Sequence, residues 1–347
     1  MADRHFFAGV NSPCGFYSFF QNVADDKECK RKIYIKGGPG TGKSTLMKKV
    51  AKKAEDYGFD TEIFHCSSDP SSLDAVYIPK LKTAMIDATP PHCYDPKYIG
   101  VSGEIFNASE FLSFEKLHEN SEDIIHFSDY KGRAFEKAYN FLGAAQAVIK
   151  DISLMHKNNM YLHGIDLEAE KLSNALLPKI TMPKSGKVRK LFLSAIGPDG
   201  FENFTESSFK GTKVFTVKGG YGASELLKKV METSLTRGFS VEAFYCPLFP
   251  GEKLEHLIIP DINVSFTTYN FYHHFSGDEV IDLDEYSGES VGRGEEAWNS
   301  AVALLRQAIA AVSDAGAAHS FLESFYIPAM DFDAFDKKTN LLVESIF

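Results

Sequence analysis

Two short stretches of the chain share one pattern. Lys32–Lys36 reads KIYIK and Lys213–Lys218 reads KVFTVK, apolar runs of β-branched and aromatic residues closed off by lysines. Such runs predict buried strands. A glycine-rich turn follows each, and after the first a helix is expected from about Lys43 to Tyr57. Asp60–Cys66 (DTEIFHC) and Leu81–Asp87 (LKTAMID) predict a second and a third strand. Strand, helix, strand in this rhythm predicts a parallel sheet joined by right-handed crossovers. Between Ser109 and Met160 the spacing changes. Phe135, Tyr139, Leu142, Ile149, Ile152 and Met155 fall near one helical face, which predicts a long helix or a helical hairpin. Its apolar stripe reads as core or as a docking surface.

The echo extends beyond the two strands. HFFAGVNSPCGFYSFF (5–20) matches KLFLSAIGPDGFENFT (190–205), with Pro13, Gly15 and Phe16 recurring as Pro198, Gly200 and Phe201. YGFDTEIFHCSSDP (57–70) matches RGFSVEAFYCPLFP (237–250), and 134–156 matches 297–319 more weakly. Matched blocks in one order, with a period of roughly 160 to 185 residues, exceed any solenoid repeat and suit whole domains. The basic, proline-containing stretch 176–190 reads as the linker. The expected organisation is therefore two tandem α/β domains with parallel sheets, 1–180 and 181–347, each followed by a helical segment.

Composition narrows the function. A chain of 347 residues with 44% hydrophobic residues supplies two cores, which a disordered chain would lack. A net charge of -10 argues against a general nucleic-acid binder, which needs a basic footprint. Five cysteines without a CxxC pair argue against a disulfide framework or a zinc cage and fit a reducing, cytoplasmic setting. The N-terminus has no signal-peptide core, and no apolar run is read as crossing a membrane.

The chemistry concentrates in one loop. Gly37, Gly38, Pro39, Gly40, Thr41, Gly42, Lys43 and Ser44 satisfy GxxxxGK[ST], followed by Thr45. Glycines let backbone amides turn around phosphate oxygens without Cβ clashes, and the helix starting near Lys43 adds its positive end. Lys43 is expected to reach the β and γ phosphates, and Ser44 to ligate Mg²⁺. Asp87, closing an apolar strand, is the first candidate for the carboxylate that organises the metal. Asp69 is the second candidate, Asp74 a weaker one. Each has a plainer reading as a turn or cap aspartate. His92 and Glu104 are remoter candidates for handling the attacking water, and no pattern identifies a general base.

The second copy lacks this set. Its loop is two residues shorter, Ala223 faces Lys43, Glu225 faces Thr45, Phe249 faces Asp69 and Thr268 faces Asp87. Yet Gly58, Phe59, Phe64 and Cys66 recur as Gly238, Phe239, Phe244 and Cys246. Packing residues stayed while the charges left together. A pseudo-dimer of the halves is expected to bring Arg237 or Arg293 toward the first loop.

KGGPGTGKSTLMKKV, EIFHCSSDPSSLDAV and MIDATPPH together resemble an uncharacterised bacterial ATPase-like family with two tandem P-loop NTPase halves, found mainly in Gram-positive bacteria. The resemblance runs through nearly the whole chain and implies ATP binding and hydrolysis. Such proteins usually carry an intact loop in both halves, and this chain departs from that at Gly219–Glu225.

Three functions follow as expectations. The leading one is a Mg²⁺-dependent ATPase with one working loop. The alternatives are a small-molecule kinase, which needs an acceptor pocket near the loop, and a non-hydrolysing nucleotide sensor whose helical segments hold a protein partner.

Overall fold

The computed structural model describes residues 3–91, 94–158, 160–179, 184–286 and 294–347. The first half contains β1 (Arg4–Phe7), β2 (Gly9–Ser12), β3 (Gly15–Ser18), β4 (Arg31–Lys36), α1 (Lys43–Asp56), β5 (Glu62–Cys66), β6 (Asp69–Ile78), β7 (Thr83–Asp87) and β8 (Gly103–Asn107). Three helices follow: α2 (Phe114–Glu119), α3 (Ser121–Asn158) and α4 (Leu162–Leu176). The second half repeats the order with β9 (Val188–Leu191), β10 (Ser194–Gly197), β11 (Gly200–Asn203), α5 (Thr205–Phe209), β12 (Lys213–Lys218) and α6 (Tyr221–Thr236). It continues through β13 (Val241–Tyr245), β14 (Leu254–Ile259), β15 (Val264–Thr268), β16 (Glu279–Asp282), α7 (Gly294–Tyr326) and α8 (Phe332–Glu344).

Each half builds a six-stranded sheet, ordered β1-β5-β6-β7-β4-β8 in one and β9-β13-β14-β15-β12-β16 in the other. The two orders correspond strand for strand, and two such similar mixed sheets suggest a tandem duplicated α/β domain. The sheets are mixed rather than parallel. β6 runs antiparallel to β5 and β7, and β14 does the same between β13 and β15. Sequence reading passed over β6 because it opens on Asp69-Pro70-Ser71-Ser72, a turn composition. Its alternation appears only from Leu73 onward. A finer likeness holds the duplication together: the Ser44 hydroxyl accepts a bond from the Leu73 N–H at 3.0 Å, and Ser224 accepts one from Leu254 at 3.0 Å.

The halves meet symmetrically. Phe7 and Phe192, equivalent in the repeat, exchange backbone hydrogen bonds of 2.9 and 3.1 Å. Residues pairing with their own counterparts in this way mark an isologous contact, as across a two-fold axis. Beside it Arg4 and its counterpart Arg189 both reach Glu62 and Glu242, themselves counterparts. Burial would raise the Glu242 carboxyl, but the two guanidiniums outweigh it and hold its pKa below the ordinary value. Removing one member of such a buried network leaves an uncompensated charge, which costs on the order of 3–5 kcal/mol.

The long helices pack antiparallel. The Phe127 ring stacks on Phe321 with centroids 4.8 Å apart, and Ala138 is buried against Ala311 and Val312. The seam of α3 is Ala134, Ala138, Leu142, Ala145 and Ile149, facing an alanine-rich stripe on α7. Alanines carry little hydrophobic signal, so the sequence pattern pointed to Phe135 and Tyr139, which flank the seam and pack on each other. By length and composition alone, 294–329 is long and apolar enough to cross a membrane. Here its alanine stripe lies along α3.

The helical segments then change partners. α4 packs on α6 of the second half. α8 docks on the first half through Lys53–Glu344 at 2.6 Å and Lys338–Glu110 at 2.7 Å. The expected linker, 176–190, runs from the last residue of α4 into β9, and 180–183 lie outside the described residues.

Candidate functional site

The central strand β4 ends at Lys36 and α1 begins at Lys43, so the glycine loop lies at the carboxyl edge of the first sheet. This is the edge where α/β sheets place ligands. Gly40 and Gly42 hold φ of +64° and +85°, the left-handed region that glycine occupies without strain. The turn is tied internally: Thr41 is buried, and its hydroxyl donates to the Gly38 carbonyl at 2.9 Å.

Lys43 folds back over the loop. Its Nζ donates to the carbonyls of Gly37 at 3.0 Å and Gly38 at 2.7 Å. Asp87 ends β7, which pairs in parallel with β4, and its Oδ2 stands 3.7 Å from Lys43 Nζ. Both side chains are about seven-eighths buried, with relative exposures of 12% and 13%. The other carboxylate oxygen, Oδ1, accepts from the Thr89 N–H at 2.9 Å and the Thr89 hydroxyl at 2.5 Å. One oxygen is thus fixed and the other is aimed at the ammonium. Ser44 sits one residue on, with its oxygen toward β6, and Thr45 is exposed.

Asp69 is placed differently. It is exposed at the start of β6, and its carboxylate accepts from the Ser71 N–H, the Ser71 hydroxyl and the Ser72 hydroxyl. Desolvation works to raise its pKa, but these bonds and the charge of Lys48 outweigh it and lower the value. It has the geometry of a turn aspartate, although its charge still reaches the helices above the loop. Asp74 is buried beside Cys66 and helps raise that thiol's pKa well above its ordinary value, after burial itself.

Two expected residues fall elsewhere. Glu104 pairs with Arg31 at 2.8 Å near the start of β8, opposite Ile33 and below the loop edge, because parallel pairing with β4 carries it there. Arg237 donates to the carbonyls of Ser173 and Leu177 and to Asn174, so it staples α6 to α4 within the second half's packing and does not approach the first loop. His92 and Arg293 lie outside the described residues.

What sequence reading missed is the roof. A Cβ built on Gly38 would stand 2.5 Å from the Tyr326 ring, one on Gly40 2.8 Å from Ile327, and one on Gly42 3.0 Å from Phe335. The carboxyl end of α7 and the start of α8 therefore rest on the loop. His319, one turn before Glu323 on α7, stands 3.7 Å from its carboxylate. The His319 pKa is pushed down to about 4, first by burial and then by the positive charges of Lys131 and Lys43, against the raising pull of Asp69 and Asp87. Lys131 on α3 is also lowered, by burial and then by Lys43. Only helical periodicity carries Lys131 and His319 to this place, and no local motif marks them. Beside the roof, Tyr326, Phe114, Leu117, Ile124 and Ile125 line a wide apolar groove of about 540 Å³.

No family model, curated protein or solved structure matches the chain. The chemical reading therefore rests on the residues. Loop amides at a helix start, one buried ammonium and an adjacent fixed carboxylate can receive a phosphate group and a hydrated divalent cation. Among the described residues no group of three or more His, Cys, Asp or Glu is placed to hold a metal unaided. A magnesium shared with phosphate oxygens needs only one or two protein ligands, so Ser44 and Asp87 fit it.

Proposed function

We propose that the chain binds one nucleoside triphosphate, ATP, on Gly37–Thr45 and hydrolyses it with Mg²⁺, as a cytoplasmic member of a tandem P-loop ATPase-like family. The observation that carries this reading is Lys43, drawn between the Gly37 and Gly38 carbonyls and the Asp87 carboxylate at the end of a central strand. In this reading Lys43 leaves those carbonyls to meet the β and γ phosphates, and the loop amides and the first turn of α1 take up the remaining phosphate charge. Ser44 and Asp87 would hold Mg²⁺, which supplies charge neutralisation on the phosphoryl oxygens. Thr89 keeps Asp87 oriented for that task.

The second loop is read as silent. Ala223 is buried and Phe249 is nine-tenths buried, while Glu225 pairs with Lys228 at 2.8 Å. Glu225, in the second turn of α6, adds a negative charge to the helix that follows the second loop. The groove beside Tyr326 keeps the phosphotransferase alternative in view, since an acceptor would need a pocket adjoining the loop. Its apolar lining suits an apolar acceptor or the face of a protein partner.

Calorimetry with a non-hydrolysable ATP analogue and Mg²⁺ tests the reading. One site per chain is expected, and Lys43→Ala should weaken binding by roughly ten- to a hundredfold, the worth of one charge-assisted contact. Full affinity in Lys43→Ala, or two sites per chain, would refute it.

A further inference from the structure

We propose that Lys131 and His319, carried to the loop on α3 and α7, contact the terminal phosphate of the triphosphate bound on Gly37–Thr45, so that the paired long helices distinguish triphosphate from diphosphate. This inference rests on the nucleotide reading above and adds to it two residues from outside the sheet.

The placement follows from the helix pair. Phe127 stacks on Phe321, and Ala138 meets Val312. An antiparallel register through these points puts Lys131, one turn beyond Phe127, level with about residues 317–319. On α7, His319, Glu323 and Tyr326 share a face at i, i+4 and i+7. Glu323 and Tyr326 lie against Gly40 and Gly38, the Glu323 Cβ only 3.5 Å from where a Gly40 Cβ would stand. His319 is therefore one turn further along the same face, over the edge that holds Lys43 and Asp87.

The charges point the same way. Lys131 is half-buried and has no carboxylate within ion-pair distance among the described residues. After burial, the charge that lowers its pKa most is Lys43, of like sign. Two partly buried ammonium groups facing each other are costly to desolvate unless an anion comes between them. The groups facing His319 are Glu323 on its own helix, Lys131 on α3, Lys43 on α1, Asp69 on β6 and Asp87 on β7. A phosphate entering among them adds negative charge, and a neutral imidazole so placed takes up a proton. Lys43 serves the β and γ phosphates from the loop side, so groups above it meet the γ end, which a diphosphate lacks.

The second loop offers a contrast. The residue equivalent to His319 is His156, but Lys131 corresponds to Gly294. The cation near the second loop, Lys157, lies over the Tyr221 ring at 5.6 Å. Among the described residues Lys131 has no ring or carboxylate partner of this kind.

The test is calorimetry of the full chain with Mg²⁺ and either a non-hydrolysable ATP analogue or ADP, at pH 6 in two buffers of different ionisation enthalpy. Lys131→Ala should weaken the triphosphate by about ten- to a hundredfold and ADP by less than about threefold, with Lys131→Arg close to the parent. The parent should take up a proton on binding the triphosphate, and His319→Gln should abolish that uptake. Circular dichroism and urea midpoints establish that each variant is folded, and Lys131→Gln, expected to lose the same selectivity, replaces Lys131→Ala if that variant does not fold. Loss of binding in Lys43→Ala, together with parental selectivity in the charge-removing Lys131 variant and parental proton uptake in His319→Gln, overturns this inference while leaving the nucleotide reading standing. Undiminished binding in Lys43→Ala overturns the nucleotide reading itself.

Discussion

The two loops of this chain stand on matching scaffolds and have opposite contents. After β5 the first half continues Cys66-Ser67-Ser68-Asp69-Pro70; after β13 the second continues Cys246-Pro247-Leu248-Phe249-Pro250. Leu248 and Phe249 are buried with Leu142, Ala145 and Ile149 of α3 and Leu305 of α7, so this corner of the second half is closed by the helix pair. The corresponding Ser68 and Asp69 are polar, half-buried and exposed respectively. Beneath the plug, Glu255 accepts from Tyr272 and is fully buried, and burial raises its pKa. The difference teaches how a duplicated site can fall silent without loss of fold. Apolar side chains stand where the first half has polar ones, and in the second half that corner is helix packing; on the proposed reading the same corner of the first half adjoins a ligand. The helices above each loop are exchanged, so the plugged half still supports the open one: Phe335 presses on Gly42 as Ile165 presses on Gly222.

That mirrored pair offers the sharpest way to break the comparison, and the largest expected effect. Phe335 is 3% exposed and meets Phe106, Phe111 and Phe332 as well as the loop. Phe335→Ala should cost about 3–5 kcal/mol, read from urea denaturation, through lost burial and the cavity left behind. It should also weaken triphosphate binding, because it removes the wall behind Gly42. Ile165→Ala should cost about 2–5 kcal/mol by the same mechanism and leave triphosphate affinity unchanged. Equal losses of affinity in the two variants would mean that both loops serve the ligand.

A smaller, more selective effect separates the two aspartates. Asp87→Asn keeps the Thr89 contacts approximately isosteric while removing the charge beside Lys43. Metal-dependent phosphate release should fall by tenfold or more while nucleotide binding persists, and the loss should track magnesium concentration. Asp69→Asn should change turnover by less than about threefold, since Ser71 and Ser72 already engage that carboxylate. The reverse ranking would move the metal role to Asp69.

How far the molecule could be read from its sequence differs between these regions for physical reasons. The loop, α1, β4, β5 and β7 were legible because strand content, glycines and a helix start occur within a few residues of one another. The repeat was legible because Pro, Gly and Phe positions recurred in step. β6 was not, since Asp69-Pro70-Ser71-Ser72 imitates a turn. The α3–α7 seam was not, since alanine packs closely with little apolar contrast. Lys131 and His319 were not, since their place depends on a helix register set by residues nearly two hundred positions away. The expectation that Arg237 would reach the first loop failed because α4, not the first sheet, covers the helix that carries it.

The smallest expected effect concerns pH, and it sharpens the comparison by locating where titration is stored. In the plugged half, His273 is 3% exposed and its pKa is held down to about 4, by burial first and then by His274 and Lys253. His256, against it with ring centroids 4.5 Å apart, is fully buried, and burial and then His273 lower its pKa well below the ordinary value. In the open half, His65 is held to about 4, chiefly by burial, although its bond to the Pro70 carbonyl works to raise it. The unfolded chain protonates these imidazoles near pH 6.5, where the fold keeps them neutral. Between about pH 6.5 and 4 the unfolded state therefore binds more protons, and stability falls as pH falls. Glu255 works the other way from its unfolded value of about 4.5 upward, because the fold retains its proton. These histidines, together with His319, stand against one glutamate and leave a net acid loss, on the order of 1–3 kcal/mol for a buried imidazole such as His273. Urea midpoints should therefore drop steadily from pH 7 to 4.5. His273→Gln should flatten that slope, and Glu255→Gln should steepen it by removing the opposing group. Saturating triphosphate should shift the whole curve upward without altering the contribution of His273, because that residue lies in the half whose loop is proposed to be silent. A His273 contribution that vanishes when nucleotide binds would place the two halves in one titrating unit and end the distinction between an open loop and a plugged one.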